Sequence, residues 1–256
     1  MVNKSERRPA AIRRKKRRTL LLSIVGGTAL LAAIGLFWFF NQSAPDEVSI
    51  ESAAAGAAGG QSDSGNATVV DDVEGTWTVD TSVGEFSFED ATSSFVGFRI
   101  QEVLARVGAS TAVGRTGEIT GSITIEGTSV TETIITADLT EIVTNASRRN
   151  RAVQSALNTD RFPIATFTLT SPIEIGTIPG DGEVLSATMS GTLELNGVVR
   201  PIDIPFEAQI VGELIVLVGS ANIVFLDWGI EIPGSPAVMS VEDTGILEIQ
   251  LFLTQG

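Results

Sequence analysis

The sequence predicts an all-β, antiparallel domain, a barrel or a sandwich, that follows one N-terminal transmembrane helix and a flexible linker. Three observations predict this order. Residues 20–40 are apolar and uncharged, and residues 41–75 are mostly Ala, Gly, Ser and acids. Residues 76–256 carry β-branched and aromatic residues at alternate positions between Gly, Pro and Asn turns, which is the pattern of strands with one buried face.

The first 40 residues differ in charge from the rest of the chain. They carry 9 of the 17 Lys and Arg residues and one acid, whereas the remainder carries 8 Arg, no Lys and 30 acids, for a net charge of -22. The uncharged stretch 20–40 is 21 residues long, close to the roughly 20 that a helix needs to cross a bilayer. The basic tail, residues 1–19, precedes it, so the positive-inside rule predicts a single-pass protein of the cell membrane.

In this topology the N-terminus is cytoplasmic and the C-terminal domain is extracytoplasmic. A cleaved signal peptide is the alternative, but the apolar region of such a peptide normally spans only about 7–15 residues. Residues 41–75 have few large apolar side chains. We therefore predict a flexible linker there, without fixed structure.

The domain from residue 76 to 256 has a hydrophobic period of two. In the segment "SSFVGFRIQE", for example, Val96, Phe98 and Ile100 share one face. Asn196-Gly197, between two alternating runs, is the strongest short hairpin signal. About eight or more such strands, mostly joined by hairpins, predict an antiparallel barrel or sandwich, and the absence of the Cys/Trp/Cys pattern of immunoglobulin domains favours the barrel.

One short helix interrupts the strands within the segment "RRNRAVQSALNTDRFPIATFTL". Ser147 is a suitable N-cap, and Val153, Ala156 and Leu157 are spaced to face one direction. Asn158 suits the end of this helix because Asn tolerates the left-handed conformation. The helix is expected to lay its apolar stripe on the sheet.

Composition excludes several classes of function. The chain has no His and no Cys, so it lacks the commonest neutral-pH base and the commonest ligands of zinc. No nucleophile motif, phosphate loop or metal-ligand spacing occurs. The acidic domain without Lys is unsuited to nucleic acid, whose phosphates need basic patches. We therefore expect a protein that is not an enzyme, with no catalytic residues, no metal and no cofactor.

An ordered set of motifs, from Trp77 to Leu253, resembles the YceI-like domain family of lipocalin-like, polyisoprenoid-binding proteins. The motifs are "WTVD", the strand Ser94–Ile100, "GEITGSITIEG", "LTEIVTNASRRNRAVQSALNTDRFPIATFTLTS", "MSGTLELNGVVRPIDIPF" and "FLDWGI". The resemblance implies a lipocalin-like antiparallel barrel. Its apolar lumen would hold an isoprenoid chain, such as a quinone or a polyprenyl carrier.

Some apolar residues occupy alternate strand positions that would face the inside of the barrel, where they would line a lumen or simply fill an ordinary core. These eight lumen candidates are Val96, Phe98, Ile100, Ile123, Phe167, Leu193, Phe206 and Phe225. Glu102 stands where the family often has a His, and Arg149 belongs to the basic helical turn. These two residues are candidates for the mouth of the lumen or for contact with a lipid head group.

The sequence thus predicts a membrane-tethered, extracytoplasmic protein that binds an isoprenoid lipid, which is its expected ligand and partner together with the membrane. The alternative is a non-catalytic structural or adhesion module of the cell envelope with a filled barrel. The oligomeric state stays open, with a homodimer as one alternative.

Overall fold

The computed structural model describes residues 44–60, 72–90, 92–106, 108–232, 234, 236 and 238–256, without the side chain of Arg148. The predicted basic tail and transmembrane helix, residues 1–40, lie outside this part of the chain. None of the helices within it is both long enough and apolar enough to cross a membrane.

The described residues form thirteen strands, two α-helices and one 3-10 helix. The helices are α1 (Ile50–Gly60), α2 (Ser147–Ala156) and the 3-10 helix Phe225–Trp228. The strands are β1 (Gly75–Val79), β2 (Phe95–Leu104), β3 (Gly108–Thr116), β4 (Ile119–Glu126), β5 (Ser129–Asp138), β6 (Val143–Thr144), β7 (Ile164–Leu169), β8 (Ile173–Glu174), β9 (Val184–Leu195), β10 (Val198–Val211), β11 (Leu214–Val224), β12 (Val238–Val241) and β13 (Thr244–Gln255).

Eight of these strands close into an antiparallel barrel, in the order β1-β4-β5-β7-β9-β10-β11-β13. The ring closes where the C-terminal end of β13 pairs with β1, with Trp77 opposite Gln255 and Val79 opposite Leu253. The other half of β13 pairs with β2, so that β2, β3 and β6 continue the sheet beyond the ring. The prediction of an all-β antiparallel barrel is confirmed.

The long hairpin of β9 and β10 shows how local sequence sets the register. Leu195 pairs with Val198 across the two-residue turn Asn196-Gly197, and both turn residues have positive φ, 52° and 73°. A turn of this kind matches the right-handed twist of the two strands. A β-carbon on Gly197 would lie 2.5 Å from the ring of Phe162, so the turn also packs closely under the segment that follows helix α2.

Helix α2 lies where the sequence predicts a helix, but it begins differently. Its N-cap residue is Ala146, and no side chain there hydrogen-bonds the free backbone N–H groups of the first turn. The expectation that Ser147 caps the helix is therefore wrong. The first turn is bound instead through Asn150, whose Oδ1 accepts hydrogen bonds from the backbone N–H and the hydroxyl of Thr144. Asn158 has a left-handed φ of 52° just beyond the helix, as predicted.

Helix α1 corrects the prediction of an unstructured linker over residues 41–75 for residues 50–60, whereas residues 41–43 and 61–71 lie outside the described part of the chain. Ile50, Ala53 and Ala57 are buried, and they pack against an apolar patch on the outer wall of the barrel formed by Leu214, Val216, Val218 and Phe252. Composition alone is ambiguous here, because an Ala-rich stretch has both the low hydrophobicity of a linker and high helix propensity. The small alanine side chains let the helix approach the barrel closely, and two helices rather than one accompany the sheet.

Candidate functional site

The lumen of the barrel contains two adjoining apolar cavities. They enclose about 650 Å3 and about 560 Å3 of space free of protein atoms, including space open to solvent. Ile123, Thr133, Met189 and Leu217 line both cavities, so these four side chains stand between them. Apolar cavities with few polar groups are typical of binding sites for small apolar molecules.

Five of the eight lumen candidates line these cavities. Phe206 borders the first cavity, Val96, Phe167 and Leu193 border the second, and Ile123 borders both. Their inward placement follows from alternation along the strands, because successive side chains of a strand point to opposite faces of the sheet.

The other three candidates lie outside both cavities. Phe98 is half-buried, and its ring occupies the position over Gly114 on β3, where a β-carbon would be 2.4 Å away. Ile100 and Phe225 pack in an apolar cluster around Trp228, and Phe225 begins the 3-10 helix rather than continuing strand β11. Phase on a strand predicts which face a side chain is on, but not how far along the barrel it lies.

A segment that carries no strand pattern supplies part of the first cavity. Ile173, Ile175, Ile178 and Pro179 line its wall, although only Ile173 belongs to a strand, the two-residue β8. The sequence analysis does not include these residues, because the Pro and Gly residues of "SPIEIGTIPGDG" interrupt the alternation of apolar and polar residues that indicates a strand. The recurrence of Ile in a turn-rich segment was the one available signal.

Glu102 and Arg149, the two candidates for a polar mouth, form an ion pair with each other. Glu102 belongs to β2 and Arg149 to α2, and the guanidinium also donates to Oδ1 of Asn145 at 2.6 Å. Burial raises the pKa of Glu102, and the charge of Arg149 opposes this shift. The pair fixes the basic helical turn to the sheet, which gives that turn a structural role.

A second charged cluster, which the sequence did not predict, is buried on the outer side of the sheet. Nε of Arg99 lies 3.1 Å from Oε1 of Glu248, and Nη2 of Arg115 lies 3.6 Å from Oε2. The side chains of Arg99, Arg115 and Glu248 are 6%, 2% and 1% exposed. The three residues lie on three different strands, β2, β3 and β13, so no local sequence pattern indicates that they meet.

The two arginines of this cluster bind the chain that precedes helix α1. Arg99 donates to the carbonyl of Pro45 at 2.9 Å, and Arg115 donates to the carbonyl of Asp46 at 3.0 Å. Arg115 also donates to the carbonyl of Phe88 at 3.1 Å and lies over the ring of Phe95. Residues 44–60 are therefore part of the folded domain. Hydrogen bonds from the two guanidinium groups bind their N-terminal end, and apolar packing of helix α1 binds the rest.

Within the described part of the chain, no three Asp, Glu, His or Cys side chains converge where a metal ion could bind. The cavities hold nothing that resembles catalytic machinery either, since their walls are apolar except for Thr133 and Gln209. The arrangement can enclose an apolar molecule, and it offers that molecule very few hydrogen bonds.

Comparison with known proteins identifies relatives of this barrel. A UPF0312 protein of Pseudomonas aeruginosa is 28% identical over 166 residues, which cover 60% of this chain and 80% of the relative. A UPF0312 protein of Pseudomonas paraeruginosa matches to the same extent.

The structure of a polyisoprenoid binding domain from Saccharophagus degradans, implicated in plant cell wall breakdown, is similar to this one. Its TM-score is 0.54 with 20% sequence identity, over 72% of this chain and 99% of that domain, a likeness that supports the fold. The family model of the YceI-like domain matches residues 69–253, which are most of the chain and cover every strand of the closed barrel except the last two residues of β13. The chain belongs to the YceI-like domain family.

Proposed function

We propose that this protein is a membrane-tethered, extracytoplasmic binding protein that holds an isoprenoid lipid, a quinone or a polyprenyl carrier, in the lumen of its barrel. The observation that carries the proposal is the pair of adjoining apolar cavities inside a closed barrel. The family membership and the name of the Saccharophagus degradans domain support a polyisoprenoid as the ligand class.

The physical driving force is the transfer of apolar surface from water into the lumen. Each Å2 of apolar surface that leaves water contributes about 25 cal/mol, so a chain of a few isoprene units gains several kcal/mol. A closed barrel with hydrogen-bonded walls also limits the entropy cost of binding, because its strands are already ordered before the lipid enters. No catalytic step is part of this function.

The tether is proposed from the uncharged stretch at residues 20–40 and the basic block before it. It would keep the barrel near the bilayer, which stores lipids of this class. Because residues 44–60 are bound to the barrel wall, the stretch that could serve as a free spacer is shorter than residues 41–75.

The proposal is tested by extracting the purified full-length protein with organic solvent and identifying the bound lipid by mass spectrometry. Ala137 lines the second cavity, so Ala137→Phe should fill the lumen and remove the lipid. Ile134, on the same strand, is 52% exposed, so Ile134→Phe is the matched control and should keep the lipid.

A stoichiometric isoprenoid in the wild type and in the Ile134→Phe variant, but not in the Ala137→Phe variant, is the expected result. If the three folded proteins carry the same lipids in the same amounts, those lipids are bound outside the lumen and the proposal is wrong. If none carries an isoprenoid and none takes up an added quinone or polyprenol, the structural or adhesion module becomes the better explanation.

A further inference from the structure

Thr133 is a polar residue at the centre of an apolar lumen. It lies in β5, its side chain lines both cavities, and the residue is only 2% exposed. The remaining residues that line the second cavity are all apolar. Among the described residues its hydroxyl oxygen has no hydrogen-bond partner, which is unusual because buried polar atoms in proteins are nearly always paired.

The surroundings of Thr133 explain why it has no partner within the protein. Its cross-strand neighbour on β4 is Ile123, which has no polar side-chain atom. On the opposite face of the same sheet, Thr136 pairs with Thr120 at 2.8 Å between the two hydroxyl oxygens. The strand therefore satisfies a threonine hydroxyl on its outer face, and it leaves the one in the lumen without a partner.

A buried water is a poor substitute for the missing partner. An ordered internal water usually makes two to four hydrogen bonds to protein groups. At the junction of the two cavities Thr133 is the single polar residue among Ile123, Met189 and Leu217, so a water there would have one protein partner. A polar atom that arrives as part of an apolar ligand needs only that one partner.

We infer that Thr133 is a specificity-determining residue whose hydroxyl hydrogen-bonds a neutral oxygen of the bound lipid, a carbonyl or an alcohol, deep inside the barrel. This inference rests on the proposed function and narrows its ligand. The oxygenated end of the lipid, rather than only its hydrocarbon chain, then lies between the two cavities.

The charge of the site restricts which oxygen can bind there. None of the residues lining the second cavity is a cation, and Arg149 is engaged by Glu102 and Asn145. Burying a phosphate charge without a counter-ion is strongly unfavourable. The oxygen bound at Thr133 is therefore that of a quinone or of an unphosphorylated prenol, and a phosphorylated prenol would have to place its head group elsewhere.

The test compares two matched variants of the full-length chain in nanodiscs of one fixed phospholipid composition. Thr133→Val removes the hydroxyl and keeps the shape of the side chain. Thr131→Val is the control, because the hydroxyl of Thr131 is also buried without a partner but Thr131 lines neither cavity. Three probes are titrated: a benzoquinone with a geranyl tail, geranylgeraniol, and squalene, which has no oxygen. Bound probe is measured by extraction and mass spectrometry.

We expect Thr133→Val to weaken binding of the quinone or of the alcohol by about two- to tenfold, the range for one hydrogen bond, and to leave squalene binding unchanged. The probe that responds identifies the oxygen as a carbonyl or a hydroxyl. Thr131→Val should leave binding of all three probes at the wild-type level. The melting temperature of the ligand-free Thr133→Val variant should not fall, because no bond within the protein is lost.

Unchanged binding of both oxygenated probes in Thr133→Val, or an equal loss for squalene, would overturn the inference and leave the proposed function intact. A wild-type protein that binds none of the three probes would overturn the proposed function, and this inference with it.

Discussion

Glu248 is predicted to be important for stability, because among the described residues it is the one anion paired with two buried guanidinium groups. The change that tests this is Glu248→Gln, which keeps the size and one acceptor oxygen of the side chain but removes its charge. Arg99 and Arg115 would then face each other at 6% and 2% exposure. Burial already lowers the pKa of Arg115, Glu248 opposes that shift, and Arg99 adds to it.

The expected loss can be worked out from the two distances. At 3.1 Å and 3.6 Å, each charge pair is worth about 5 kcal/mol at the effective dielectric constant of about 20 that suits proteins. Part of this is retained, since the amide still accepts a hydrogen bond. Removing one partner of a buried pair typically costs about 3–5 kcal/mol, and we expect the free energy of unfolding to fall by that amount. This is a large share of the roughly 5–15 kcal/mol that stabilises an ordinary domain.

The assay is urea unfolding at neutral pH of residues 43–256, which form one compact unit. The control is Asp227→Asn, because Asp227 and Arg200 are 4.0 Å apart and are 51% and 48% exposed. An exposed pair of this kind contributes about 0–1 kcal/mol. Glu248→Gln should also increase proteolysis near Pro45 and Asp46, whose carbonyls the two arginines bind. A loss below about 1 kcal/mol, equal to that of the control, would refute this reasoning.

Two further predictions concern helix α1 and Glu102. Ala53→Asp places a charge on the buried face of the helix, so hydrogen exchange should show loss of protection over residues 50–60, whereas Ala55→Asp on the exposed face should keep it; equal protection in both variants would contradict the packing of α1. Burial raises the pKa of Glu102 above its ordinary value of 4.5, so the folded protein keeps this proton to a higher pH than the unfolded chain does. The resulting contribution to stability is complete below the unfolded pKa and is lost as the pH rises through the raised, folded value. Urea unfolding over a pH series should therefore show a decline in this window that is smaller in Glu102→Gln, and identical slopes in both proteins would contradict the role given to burial.

Part of the site could be predicted and part could not. Alternation is enough to place Val96, Ile123 and Phe167 on the face that lines the cavities, because the face of a side chain depends only on local strand geometry. It could not separate these residues from Phe98, since depth along the barrel depends on how strands are staggered against each other. Glu102 and Arg149 are each candidates from the sequence, but their pairing joins residues 47 positions apart, and no local pattern encodes such a distance.

Local sequence is sufficient to predict the all-β class, the Asn196-Gly197 hairpin and the end of helix α2 just before Asn158, because each follows from a local period or from a residue that tolerates positive φ. Tertiary structure decided the closure of the barrel by β13 on β1, the docking of α1, the buried cluster around Glu248 and the position of Thr133 in the lumen. Each of these depends on groups far apart in the chain that meet only when the sheet closes. The free energy that selects them comes from burial and from pairing of charges out of water, which local sequence patterns do not report.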